Sequence, residues 1–136
     1  KKAESYKATM SSDELIITAD TIVYVDGEVL GKPQNKIDAA RMLKMISGKC
    51  HDVITGVCLL TSNKRISFSV KTKVSFAQIT DDEISFYIEN YKPYDKAGAY
   101  GIQEWIGYIG VDSIQGSYFN VMGLPVQRLY SELKNI

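Results

Sequence analysis

Between Arg65 and Ala77 the chain alternates. Ile66, Phe68, Val70, Val74 and Phe76 interleave with Ser67, Ser69, Lys71, Lys73 and Ser75. A period of two belongs to a β-strand with one dry and one wet face, so the fold must contain a sheet with a covered face. Two further runs fit that sheet. Leu15–Tyr24 (LIITADTIVY) is β-branched and apolar almost throughout and reads as a strand buried on both faces; His51–Leu60 reads as another. Asp26-Gly27 predicts a hairpin returning Glu28-Val29-Leu30 beside the first run, and Ser62-Asn63 turns the chain after the second.

Helical signals lie between the strands. Asn35 can cap a helix through Ser47 with Ile37, Ala40, Leu43 and Ile46 inward, ended by Gly48. Thr80-Asp81-Asp82-Glu83 is a capping box opening a helix with Ile84, Tyr87, Ile88 and Tyr91 inward, closed by Lys92-Pro93. Pro125 suits a helix start, with Val126, Leu129 and Leu133 facing the core. The opening KKAESYKATM reads as the last turns of a helix. Hairpins together with helical crossovers predict an α/β class, a mixed twisted sheet flanked by helices.

With 136 residues, no internal repeat and no linker, the chain is a single domain over 1–136. Its 45% apolar and 24% charged residues exclude disordered and low-complexity classes. Sixteen basic against sixteen acidic side chains leave no excess to hold a polyanion, which argues against nucleic-acid polymers and membrane surfaces as partners. Cys50 and Cys58 share one extended run, which would set them roughly 26 Å apart. They therefore read as reduced, packed thiols of a cytoplasmic protein.

Three features stand out chemically. Asp20 is a carboxylate inside an apolar strand, costly unless paired, metal-bound or open to a cleft; it suits a general base or a Mg²⁺ ligand. Lys32 is presented between Gly31 and Pro33 on a short loop. The segment Pro93–Pro125 holds six of the ten glycines and is too long for an idle loop. Within it, Asp95-Lys96-Ala97-Gly98-Ala99-Tyr100-Gly101-Ile102-Gln103 offers backbone N–H groups that a phosphate could approach closely. Two lysines and a carboxylate suit a nucleoside triphosphate. GxxxxGK[ST], GxGxxG, HExxH and GxSxG are all absent.

Six blocks occur in order: Ala19-Asp20-Thr21; Gly31-Lys32-Pro33; Met42-Leu43 with Ser47-Gly48; His51-Asp52-Val53-Ile54-Thr55-Gly56-Val57; Asp95 to Gln103; and Gly116-Ser117-Tyr118-Phe119-Asn120-Val121-Met122-Gly123-Leu124-Pro125. Together they resemble the Maf family of nucleoside triphosphate pyrophosphatases over essentially the whole chain. The resemblance implies an inosine-triphosphatase-like fold and hydrolysis of a nucleoside triphosphate to monophosphate and pyrophosphate with a divalent cation, Mg²⁺ or Mn²⁺. It makes Asp20 the proton acceptor and a metal ligand, Lys32 and Lys96 phosphate contacts, and Lys2 a further substrate-binding lysine. Thr21 and Gln103 match the pair marking the dTTP and UTP subgroup, and a homodimer is the common assembly. A Gln amide offers both the donor and the acceptor that the O4/N3–H edge of uracil or thymine requires. The family's leading Ser-x-Ser-Pro-Arg-Arg loop and its catalytic Glu do not occur in these residues. The expectation is therefore an N-terminally truncated domain whose parent is active. The competing reading is a nucleotide-binding regulator of cell division that uses the same pocket without turnover.

Overall fold

The computed structural model describes residues 14–136, so the helix read into the opening residues and Lys2 lie outside the described part. Strand β1 (Ile16–Val25) turns through Asp26 and Gly27, at φ of 51° and 79°, into the short β2 (Glu28–Leu30). Helix α1 (Lys36–Ile46) follows, then β3 (Cys50–Leu60) and β4 (Arg65–Phe76) as a long hairpin, and helix α2 (Asp81–Tyr91). The rest comprises a single 3₁₀ turn at Ala97–Ala99, helix α3 (Trp105–Gly110), strand β5 (Val111–Gln115) and helices α4 (Tyr118–Met122) and α5 (Val126–Leu133).

The strands form one sheet in the order β2-β1-β3-β4-β5, and every pairing among the described residues is antiparallel. The helices flank it as expected, but the parallel pairs of a mixed sheet are not found among these residues. The glycine-rich segment supplies the fifth strand, which the sequence did not signal. Its bulge at Asp112 shifts the register between Ser75 and Phe76.

Both caps form as read. Asn35 Oδ1 accepts the Asp38 N–H at 2.8 Å, and Thr80 and Glu83 bond each other reciprocally at 3.1 and 2.8 Å. The inward faces differ in detail. Helix α1 buries Ala39, Met42, Leu43 and Ile46, while Ile37 is 82% exposed and Ala40 only half-buried. Residue 37 lies in the first turn, and the 39/42/43/46 stripe meets the sheet. Tyr91 and Val126 likewise turn outward, and Cys50 is exposed rather than packed. Both cysteines are free.

The β4 alternation holds, with Thr72 joining the dry side. That face of the sheet carries two apolar clusters. The larger gathers Val23, Val25, Leu30, Val53, Val74 and Phe76 under α1, α2 and α3. The smaller gathers Val57, Leu59 and Leu129, with Ala19, Ile66 and Phe68 at its edge. Between them the register aligns Thr21 with Thr55 and Thr55 with Val70, a row that interrupts the hydrocarbon with hydroxyls. Among the described residues no helix is long and apolar enough to cross a membrane.

The two clusters should respond unequally to truncation. Phe76 is 3% exposed and contacts the rings of His51 and Tyr100, so Phe76→Ala should cost about 3–5 kcal/mol in urea denaturation. Phe68 is only half-buried, beneath the Arg128 guanidinium at 4.7 Å, and Phe68→Ala should cost about half as much or less. Equal losses would show that the smaller cluster is as well packed as the larger.

Candidate active site

A cavity of about 230 Å³ opens between the carboxyl half of β1, the loop after β2 and the Asp95–Gln103 segment. Its wall includes Asp20, Thr21, Lys32, Asp95, Lys96 and Gln103, closed on one side by Val121, Met122 and Gly123. Five of the residues singled out in the sequence (Asp20, Thr21, Lys32, Lys96 and Gln103) thus converge, although they span more than eighty positions. Lys2 is outside the described residues.

Backbone contacts hold the two lysine loops together. The Gly98 N–H donates to the Gly31 carbonyl at 3.0 Å, tying the segment after Lys96 to the residue before Lys32. Gly98 has φ of 71°, and a Cβ there would lie 2.7 Å from Val23 Cγ2. Only glycine allows both the left-handed backbone and the close approach to β1.

The lysines differ in their surroundings. Lys96 Nζ lies 3.2 Å from Asp95 Oδ1 and 3.8 Å from Glu104 Oε2. The Asp95 carboxyl is held below the usual range by its hydrogen bond from Lys96, with Lys32 adding to the effect. Glu104 is fixed from behind: Tyr87 OH donates to Glu104 Oε1 at 2.5 Å while accepting the Gly101 N–H at 3.0 Å. Burial and this bond push the Tyr87 phenol far up, so it stays protonated. Lys32 has no ion pair within 4 Å among the described residues, which leaves its charge for a ligand.

Asp20 is exposed on β1 opposite Gly56, whose missing side chain leaves open space beside it. It lines both this cavity and a shallower hollow with Gly56, Arg65 and Ser67. No group of three or more His, Cys, Asp or Glu able to hold a metal occurs among the described residues. Mg²⁺, however, commonly takes only one or two carboxylates and fills its sphere with water and phosphate oxygens, and Asp20 fits that habit.

The floor was not legible in advance. Tyr100 lines the cavity and is held by His51, whose Nε2 lies 2.6 Å from the phenol oxygen. The sequence placed Thr55 and Asn120 in the motif blocks and Tyr87 on an inward helix face, but gave neither them nor Glu104 a role in the site. A polar residue inside the apolar His51–Leu60 run was the available signal for Thr55.

The family model described as Maf-like protein matches residues 1–136. The chain belongs to the Maf family. Relatives named dTTP/UTP pyrophosphatase share 65% identity over 136 residues in Phocaeicola vulgatus, 60% over 134 in Parabacteroides distasonis and 47% over 134 in Flavobacterium psychrophilum. The matches cover 98–100% of this Maf chain and 69–70% of those relatives.

The buried imidazole makes a pH prediction. Burial lowers the His51 pKa from 6.5 to about 4, so the unfolded chain binds this proton more readily than the folded one. The contribution is intact above pH 6.5 and is lost as pH falls toward 4. Unfolding free energy should drop by roughly 3 kcal/mol from this group across that window. Denaturant titrations at pH 7, 5.5 and 4.5 check it, and His51→Gln should flatten the slope.

Proposed function

We propose that this chain is a nucleoside triphosphate pyrophosphatase acting on dTTP and UTP, yielding the monophosphate and pyrophosphate. The observation that carries the reading is the convergence of Asp20, Thr21, Lys32, Lys96 and Gln103 on one cavity. Relatives at 47–65% identity bearing the dTTP/UTP pyrophosphatase name support it. Their name also favours turnover over a binding-only regulator of cell division.

Lys32 and Lys96 neutralise the triphosphate and hold it against β1. Asp20 takes a proton from water as its oxygen attacks the α-phosphorus. The bond from that phosphorus to the bridging oxygen breaks, and pyrophosphate departs. A divalent cation, Mg²⁺ or Mn²⁺, held by Asp20 and the phosphate oxygens, would supply Lewis-acid stabilisation of the phosphoryl charge. Gln103 offers an amide to the base edge. The same reading takes the protein as cytoplasmic, in keeping with its two free cysteines, and as a homodimer, which light scattering would test.

Pyrophosphate release across a panel of nucleoside triphosphates with Mg²⁺ tests the reading. Release should be highest with dTTP and UTP and should fall at least a hundredfold in Asp20→Asn. Release independent of Asp20 would overturn its role. Gln103→Glu replaces an amide donor with an acceptor and should weaken both pyrimidine substrates about tenfold; unchanged kinetics on both would remove Gln103 from base recognition.

A further inference from the structure

The row of hydroxyls between the two apolar clusters forms a connected set of hydrogen bonds that ends in the cavity. Asn120 is fully buried on α4. Its amide Nδ2 lies 3.0 Å from the Val70 carbonyl, 3.2 Å from the Val53 carbonyl and 3.0 Å from Thr72 Oγ1, three acceptors that share its two hydrogens. Two carbonyls on that side admit only the NH₂ end, so the amide orientation follows from the network. Asn120 is thereby fixed over β3 and β4, and its backbone carbonyl is fixed with it. That carbonyl accepts the Gly123 N–H at 3.0 Å and the Thr55 hydroxyl at 3.4 Å.

Thr55 is fully buried and has one proton. That proton can go to the Asn120 carbonyl at 3.4 Å or to Thr21 Oγ1 at 2.9 Å. Donating to that carbonyl and accepting from Thr21 Oγ1 gives the buried Thr55 oxygen two hydrogen bonds, where donating to Thr21 would give it one, and a buried hydroxyl favours the fuller pairing. Thr21 therefore spends its only proton inward. What Thr21 shows to the cavity, near Gly123, is an oxygen with lone pairs and no hydrogen.

We propose that Thr55 is a specificity-determining positioning residue: by holding the Thr21 hydroxyl as an acceptor, it makes the cavity select a ligand N–H donor at that point. Resting on the nucleotide reading above, the donor is the N3–H of uracil or thymine. Cytosine carries a bare acceptor nitrogen at the same place, which would face the Thr21 oxygen lone pair to lone pair. Discrimination of this kind is strong because a mismatched group leaves buried polar atoms unpaired. Thr21 then takes N3–H, and the Gln103 amide is left to donate to the neighbouring carbonyl.

The test is equilibrium binding of UMP, CMP and N3-methyl-UMP, none of which can release pyrophosphate, to the wild type, Thr55→Val and Thr55→Ser. Wild type should favour UMP over both others by about tenfold or more. Thr55→Val leaves the Thr21 proton free to swing toward the ligand. The UMP-to-CMP ratio should then fall toward one, with CMP affinity held or raised; Thr55→Ser should restore it. A merely structural lesion would weaken UMP and CMP together, and thermal melts of each variant report folding separately. An unchanged ratio in Thr55→Val, or a wild type that binds N3-methyl-UMP as well as UMP, overturns the proposal. A wild type that shows the binding pattern but releases no pyrophosphate from UTP defeats the catalytic reading and leaves this one standing. A wild type that binds none of the three defeats both.

Discussion

One backbone contact makes the site possible. Gly98 sits directly on Val23, with no side chain between loop and strand, and from there its N–H reaches the Gly31 carbonyl. The contact costs conformational freedom in the unfolded chain, since glycine has the most to lose. In return, two ammonium groups from loops more than sixty residues apart share one wall. Like charges in that position repel in the absence of a ligand. Asp95 and Glu104 form their close ion pairs with Lys96, so the less compensated charge is that of Lys32.

The cavity lies where the hydrophobic core is interrupted. A continuous apolar face from Leu59 to Phe76 would be more stable by simple area burial, but it would have nothing to say to a polar ligand. The row through Thr21, Thr55, Asn120 and Thr72 divides that face, and the hydroxyls and the NH₂ group satisfy one another or a backbone carbonyl. Such a row is tolerable because its donors are matched, and it is rigid for the same reason. Removing one member exposes the desolvation cost of its neighbours, which is why effects there should exceed those of a surface hydroxyl.

The fold was legible where local chemistry dominates. The β4 alternation, the Asp26-Gly27 turn and both helix caps rest on interactions within a few residues, and all of them form. The errors share a cause. Ile37 is apolar at a helical spacing, yet which part of α1 meets the sheet depends on packing against α2, a tertiary choice. Strand β5 is five residues, VDSIQ, with little alternation, and is a strand because the edge of β4 offers it a ladder. The charged members of the site could be read as anomalies in their surroundings. The supporting Thr55, Asn120, Tyr87 and Glu104 could not, because each is chemically ordinary until its partner from a distant segment arrives.

The antiparallel sheet also sets an order of assembly. Strands β1 and β2, and then β3 and β4, are joined by short turns, so these hairpins close small loops and form early at little entropic cost. The segment carrying Asn120 must instead cross back to β3 from sixty-seven residues beyond Val53, and closing so long a loop comes late. Folding intermediates would thus hold a formed sheet with Thr21 and Thr55 still hydrated and their protons undirected. Such a chain could carry Asp20 and both lysines and still lack the arrangement proposed to choose among bases. The proposed selectivity would then be the last property the molecule acquires as it folds and the first it would lose on local unfolding of α4.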